Sequence, residues 1–65
     1  MNGKVAEWDE SVGIGTIAGD DGSSYFFHCT QIADGSRTIE EGAAVRFEVM
    51  AGHLGRWEAT RVEKR

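Results

Sequence analysis

The run Ser24-Tyr25-Phe26-Phe27-His28-Cys29 leaves this chain little choice of local structure. It gathers three of the six aromatic residues and one of the two histidines, between Asp20-Asp21-Gly22 and a polar stretch. Such a β-rich run bounded by turn residues predicts a central strand. Side chains alternate faces along a strand, so Tyr25, Phe27 and Cys29 share one side while Phe26 and His28 share the other. One face fills a core. The other presents a ring and an imidazole outward. Partial cover by a neighbouring loop explains that arrangement, and so does a stacking surface for nucleic-acid bases, since every base has a π-face.

The remaining chain alternates in short segments. Gly3 to Trp8 has Val5 as its inward residue, and Asp9-Glu10-Ser11 is a turn. Gly13-Ile14-Gly15-Thr16-Ile17-Ala18 follows as a strand with Gly13, Gly15 and Ile17 on one face. Two glycines on an inward face imply close backbone approach or sharp coiling, as at a barrel corner. Gly19-Asp20-Asp21-Gly22 joins this strand to the aromatic one as a hairpin. Thr30 to Ile32 suits a single helical turn, and Ala33 to Thr38 is the longest loop. Glu40-Glu41-Gly42 launches a fourth strand, Ala44 to Val49, with Val45, Phe47 and Val49 inward. Gly52-His53-Leu54-Gly55 is a hairpin connection into Trp57 to Val62, where Ala59 points inward. Five short strands with regular turn signals and no long helical period predict a small closed β-barrel, all-β, with residues 1–65 as one domain.

The composition narrows the chemistry. Cys29 is the only cysteine, which excludes an intramolecular disulfide and fits a reducing compartment. His28 and Cys29 are neighbours on a strand and face apart, so they form no nucleophile–base pair. One cysteine and two histidines do not supply a four-ligand zinc site. No catalytic residue, metal or cofactor is expected, and the chain reads as a non-enzymatic protein. No run approaches the roughly 18 apolar residues of a membrane span, and Met1 opens no signal-peptide pattern, so a cytoplasmic protein is expected. Seven Lys and Arg against eleven Asp and Glu give a net charge of -4. That balance disfavours strong non-specific duplex binding, which is driven by phosphate neutralisation. Up to Asp34 the only base is Lys4. After it come Arg37, Arg46, Arg56, Arg61, Lys64 and Arg65, so a polyanion would favour surface built from the second half.

Several fragments together resemble the cold-shock domain: Gly3-Lys4-Val5, Gly13-Ile14-Gly15-Thr16-Ile17, Phe26-Phe27-His28, Thr38-Ile39-Glu40-Glu41-Gly42, Val45, and Phe47-Glu48-Val49. The resemblance covers essentially the whole chain. It implies a five-stranded Greek-key barrel of the OB fold that binds single-stranded RNA or DNA on the face of strands one to three. The family's second motif resembles Val-Phe-Val-His-Phe, and it assigns base stacking to Phe26 and His28. Lys4 falls where the family has a basic residue on strand one. Trp8 is the remaining aromatic of that strand.

Departures from the family concentrate on the same surface. Its first motif resembles Lys-Gly-Phe-Gly-Phe, but here reads Val12-Gly13-Ile14-Gly15-Thr16, so Ile14 and Thr16 replace both stacking rings. The strand-one Trp-Phe pair becomes Glu7-Trp8, the Phe after the motif His becomes Cys29, and the long-loop aromatic becomes Ser36. The late Gly-Pro-Gln becomes Gly55-Arg56-Trp57-Glu58, which introduces an Arg–Trp pair able to stack on bases. The expected nucleic-acid contacts are therefore Lys4, Trp8, Ile14, Thr16, Phe26, His28, Arg56 and Trp57, with binding weakened by the lost rings. The alternative is an OB-fold module whose patch of Trp8, Ile14, Phe26 and Trp57 meets a protein partner or its own copy. A monomer or weak dimer is expected.

Overall fold

A computed structural model describes residues 1–52 and 55–65. Five strands form a closed barrel: β1 (Asn2–Asp9), β2 (Ile14–Gly19), β3 (Ser24–His28), β4 (Ala44–Ala51) and β5 (Trp57–Lys64), in the order β1-β2-β3-β5-β4. All neighbours are antiparallel except β3 and β5, which run parallel through Phe26 and Glu58. This is the Greek-key barrel expected of an OB fold. A 3-10 turn, Cys29–Gln31, follows β3 one residue earlier than the sequence suggested, so Cys29 leaves the strand half-buried. Among the described residues, no helix is long and apolar enough to cross a membrane. The expected hairpin connection at Gly52-His53-Leu54-Gly55 includes His53 and Leu54, which lie outside the described residues.

The period-two pattern sets the core. Val5, Ile17, Tyr25, Phe27, Val45, Phe47, Ala59 and Val62 point into the barrel, and Ile32 and Ile39 close it from the connection between β3 and β4. Tyr25 packs at a tilt on Phe47, with ring centroids 5.2 Å apart, while its hydroxyl donates to Asp21 in the preceding turn. Gly22 makes that turn possible, because its φ of +85° is one that side-chain-bearing residues rarely adopt. Val49 departs from expectation: it is 38% exposed rather than inward. The β4 register shifts between Arg46 and Glu48, and the far end of the β4–β5 hairpin carries Val49 away from the packed interior.

A second register shift, between Val5 and Glu7, matters more. It leaves Ala6 as the extra residue and re-phases the rest of β1. Trp8 then stands opposite Gly15, and Gly15 opposite Phe27, in one row across three strands. A Cβ on Gly15 would lie 2.5 Å from the Glu7 carbonyl oxygen and 2.9 Å from Trp8 Cε3. Because there is none, the half-buried Trp8 ring stacks on Phe27 at 5.6 Å, 16° from parallel. The ring partner of Trp8 is thus a core residue, Phe27.

Two outcomes test these contacts. Gly15→Val overpacks the row and costs about 1–3 kcal/mol, which thermal unfolding reads as a melting temperature lower by at least about 4 °C. Asp34 provides an acid-sensitive contact: the Ser36 main-chain N–H, then its hydroxyl and the Lys64 ammonium, hold the Asp34 carboxyl at about 2 against an ordinary 3.8. A carboxyl with a lowered folded pKa stabilises above its unfolded value and loses that contribution as pH falls through the folded one. Urea midpoints should decline between about pH 4 and pH 2, and the decline should be shallower in Asp34→Asn.

Candidate nucleic-acid interface

The outward face of β1–β3 is built from three cross-strand rows. The first is Lys4–Ala18–Ser24 and the second Glu7–Thr16–Phe26, which continues to Glu58 on β5. The third is Asp9–Ile14–His28. Phe26 and His28 meet edge-on, with ring centroids 5.5 Å apart and planes at 82°. Phe26 is half-buried and His28 exposed, while Tyr25 and Phe27 occupy the core, so the alternation read from the sequence gives the right facing. Ile14 and Thr16 are half-buried beside them, and Lys4 is exposed at one end. These residues come together as one surface. An aliphatic chain and a hydroxyl at Ile14 and Thr16 supply contact area but no flat π-face.

Trp8 sits differently from the other aromatics. Its ring lies in the row of Gly15 and Phe27 rather than among the outward rows, and its indole N–H donates to Glu10 at 2.9 Å. One part of it still lines a cleft of about 320 Å3 with Glu7, Asp9, Ile14, Thr16, Phe26 and Glu41. Asp9 and Glu41 escaped the sequence reading. Glu41 comes from the connection before β4 and accepts the Trp8 main-chain N–H at 3.3 Å, a contact 33 residues apart that no local pattern announces. Asp9 is on the outward face only because of the shift at Ala6; an unbroken alternation from Val5 would have put it inward.

Two carboxylates of this region, Asp9 and Glu10, are stabilised as anions. The Ser11 hydroxyl, then the main-chain N–H groups of Val12 and Ser11, keep the Asp9 carboxyl below its ordinary range. Glu10 is held low by the Thr38 hydroxyl first and the Trp8 indole second. Hydrogen bonds to a charged form favour it. By contrast, three cations of the second half are engaged elsewhere: Arg46 with Glu63, Arg61 with Glu48, and Lys64 with Asp34. The sequence-level surplus of positive charge in that half is thus partly neutralised within the barrel wall.

On the opposite side of Phe26 lies a second cleft of about 340 Å3, lined by Thr16, Ser24, Phe26, Gly55, Arg56 and Trp57. Arg56 and Trp57 border the β3–β5 side. Trp57 is 60% exposed, so it does not cap the barrel end. The arrangement offers three exposed or half-exposed rings in sequence across β3 and β5, with one guanidinium beside them.

The family model for the 'Cold-shock' DNA-binding domain matches residues 1–65. A cold shock-like protein of Thermotoga maritima is 39% identical over 56 residues, covering 85% of each chain. Cold shock protein CspD of Bacillus subtilis is 40% identical over the same length and share. Cold shock protein 2 of Lactiplantibacillus plantarum is 36% identical over 63 residues, 95% of this chain and 94% of that one.

The two tryptophans should separate cleanly in urea unfolding. Trp8→Ala strips the cover from Phe27 and costs about 2 kcal/mol. Trp57→Ala, at an exposed site, changes stability by less than about 0.5 kcal/mol.

Proposed function

The chain belongs to the cold-shock domain family, and from that premise we propose that it binds single-stranded RNA or DNA, weakly, through the outward face of β1–β3. The observation that carries this reading is the Phe26–His28 pair, two rings held edge-on at 5.5 Å on a surface where neither contributes to the core. Bases stack on Phe26 and His28 and on the exposed ring of Trp57; Ile14, Thr16 and the free part of Trp8 contribute apolar contact. Lys4 and Arg56 meet phosphates. The protein acts as a non-enzymatic module, residues 1–65 working as one domain, and its single free cysteine suits a reducing, cytoplasmic setting.

Weakness follows from the missing rings. Base–aromatic stacking contributes roughly 1–3 kcal/mol per base, so replacing two rings by Ile14 and Thr16 removes several kcal/mol. At about 1.4 kcal/mol per decade, a submicromolar binder falls to about tens of micromolar. A protein-interaction module is the second reading. It is favoured by the apolar side chains at the end of the β4–β5 hairpin, where Val49, Met50 and Trp57 are 38%, 45% and 60% exposed. That reading expects concentration-dependent association, or a partner protein covering the hairpin.

Fluorescence anisotropy of a labelled pyrimidine-rich heptamer distinguishes them. Saturable binding in about the tens of micromolar range, weakened roughly tenfold by Phe26→Ala with an unchanged unfolding curve, supports the nucleic-acid reading. Absence of binding at about 100 micromolar overturns it.

A further inference from the structure

Phe26 divides the outward face into two clefts of opposite charge. On the β1 side, Glu7, Asp9 and Glu41 rim the cleft, and no cation lines it. None of the three is ion-paired among the described residues. On the β5 side, Arg56 lines the cleft beside Trp57 with no carboxylate among the described lining residues, and Glu58, which follows Phe26 in its row, is the one acid registered next to that ring on β5. Ser24 lines that second cleft as well, and its row across the sheet ends at Lys4. Arg56 is thus the one cation among the described residues lining the two clefts, while Lys4 stands on β1 at the far end of the Lys4–Ala18–Ser24 row.

We infer that a single strand occupies only the β5 side of the face, so that its footprint ends after about three nucleotides, stacked on His28, Phe26 and Trp57. This rests on the nucleic-acid reading above and narrows it by assigning where the strand stops: Ile14 and Trp8, which line the β1-side cleft, then lie outside the footprint. The reason is electrostatic. Glu7, Asp9 and Glu41 line one and the same cleft, and charges in such proximity act within the Debye length of about 8 Å at physiological ionic strength. A phosphate entering the cleft is exposed to Glu7, Asp9 and Glu41 with little screening. No ring on that side offers an outward π-face in return, because Trp8 is turned onto Phe27. Each nucleotide beyond the third therefore meets repulsion without stacking.

The test is a length series of end-labelled oligothymidylates from two to eight nucleotides, titrated against the protein and against the double variant E7Q/E41Q. Glutamine preserves an acceptor for the Trp8 main-chain N–H, so the variant keeps that contact. For the unaltered protein, affinity rises to the trinucleotide and then stays level. For E7Q/E41Q it continues to rise with length. Trp57→Ala weakens trinucleotide binding about tenfold. With Arg56 as the phosphate contact of this footprint, log K falls against log salt with a slope of about −0.7. Affinity of the unaltered protein that climbs through six or seven nucleotides, superimposable on that of E7Q/E41Q, overturns the short footprint while leaving the nucleic-acid reading intact. Absence of binding at every length overturns both.

Discussion

Because Gly15 carries no side chain, the Trp8 indole settles on the Phe27 ring, and three strands close over one end of the core in a single row. Two things have to coincide for this. The extra residue at Ala6 must turn Trp8 to that side, and the neighbouring strand must leave a gap one side chain wide. The same shift sends Glu7 and Asp9 outward. Packing at the barrel end and the charge of the exposed face are thus two results of one backbone irregularity.

Much of the architecture is legible from residue order, because a strand with one buried face writes its facing in a period of two. Tyr25 and Phe27 against Phe26 and His28, and Val45 and Phe47 against Arg46, are read correctly that way. The rule fails where the period breaks. Nothing in Lys4-Val5-Ala6-Glu7-Trp8 marks Ala6 as an extra residue, so the orientation of Trp8 and Asp9 had to come from the barrel. Val49 continues a perfect alternation but lies past the second shift, where the hairpin outruns the core. Glu41 reaches Trp8 across 33 residues, and ion pairing of Arg46, Arg61 and Lys64 depends on registers that composition does not contain.

The outward face combines features that a nucleic-acid surface and an acidic surface would each have. Its rings cluster toward β3 and β5, while Glu7, Asp9 and Glu41 lie toward β1 and the connection before β4, with Glu58 following Phe26 on β5. A count of charges over the whole chain suggests a poor ligand for polyanions. The spatial arrangement is less simple, since most of the negative groups of this face are gathered at one side and the aromatic ones at the other. Position on the sheet, more than net charge, decides what this face can hold.

One further feature bears on motion. The barrel is sealed between β3 and β5 by a parallel seam registered through a single pair, Phe26 and Glu58, with Ile32 and Val62 bridging farther along. Hydrogen-bonded ladders this short are where native proteins breathe first, exchanging their amide protons through local opening. Phe26 is at once a ring on the outer surface and one half of that closing pair. Anything that stacks on it therefore binds the closed barrel in preference to the opened one, and draws its affinity partly from stiffening the protein. Occupancy of the surface and protection of the β3–β5 seam amides against exchange become two readings of the same equilibrium.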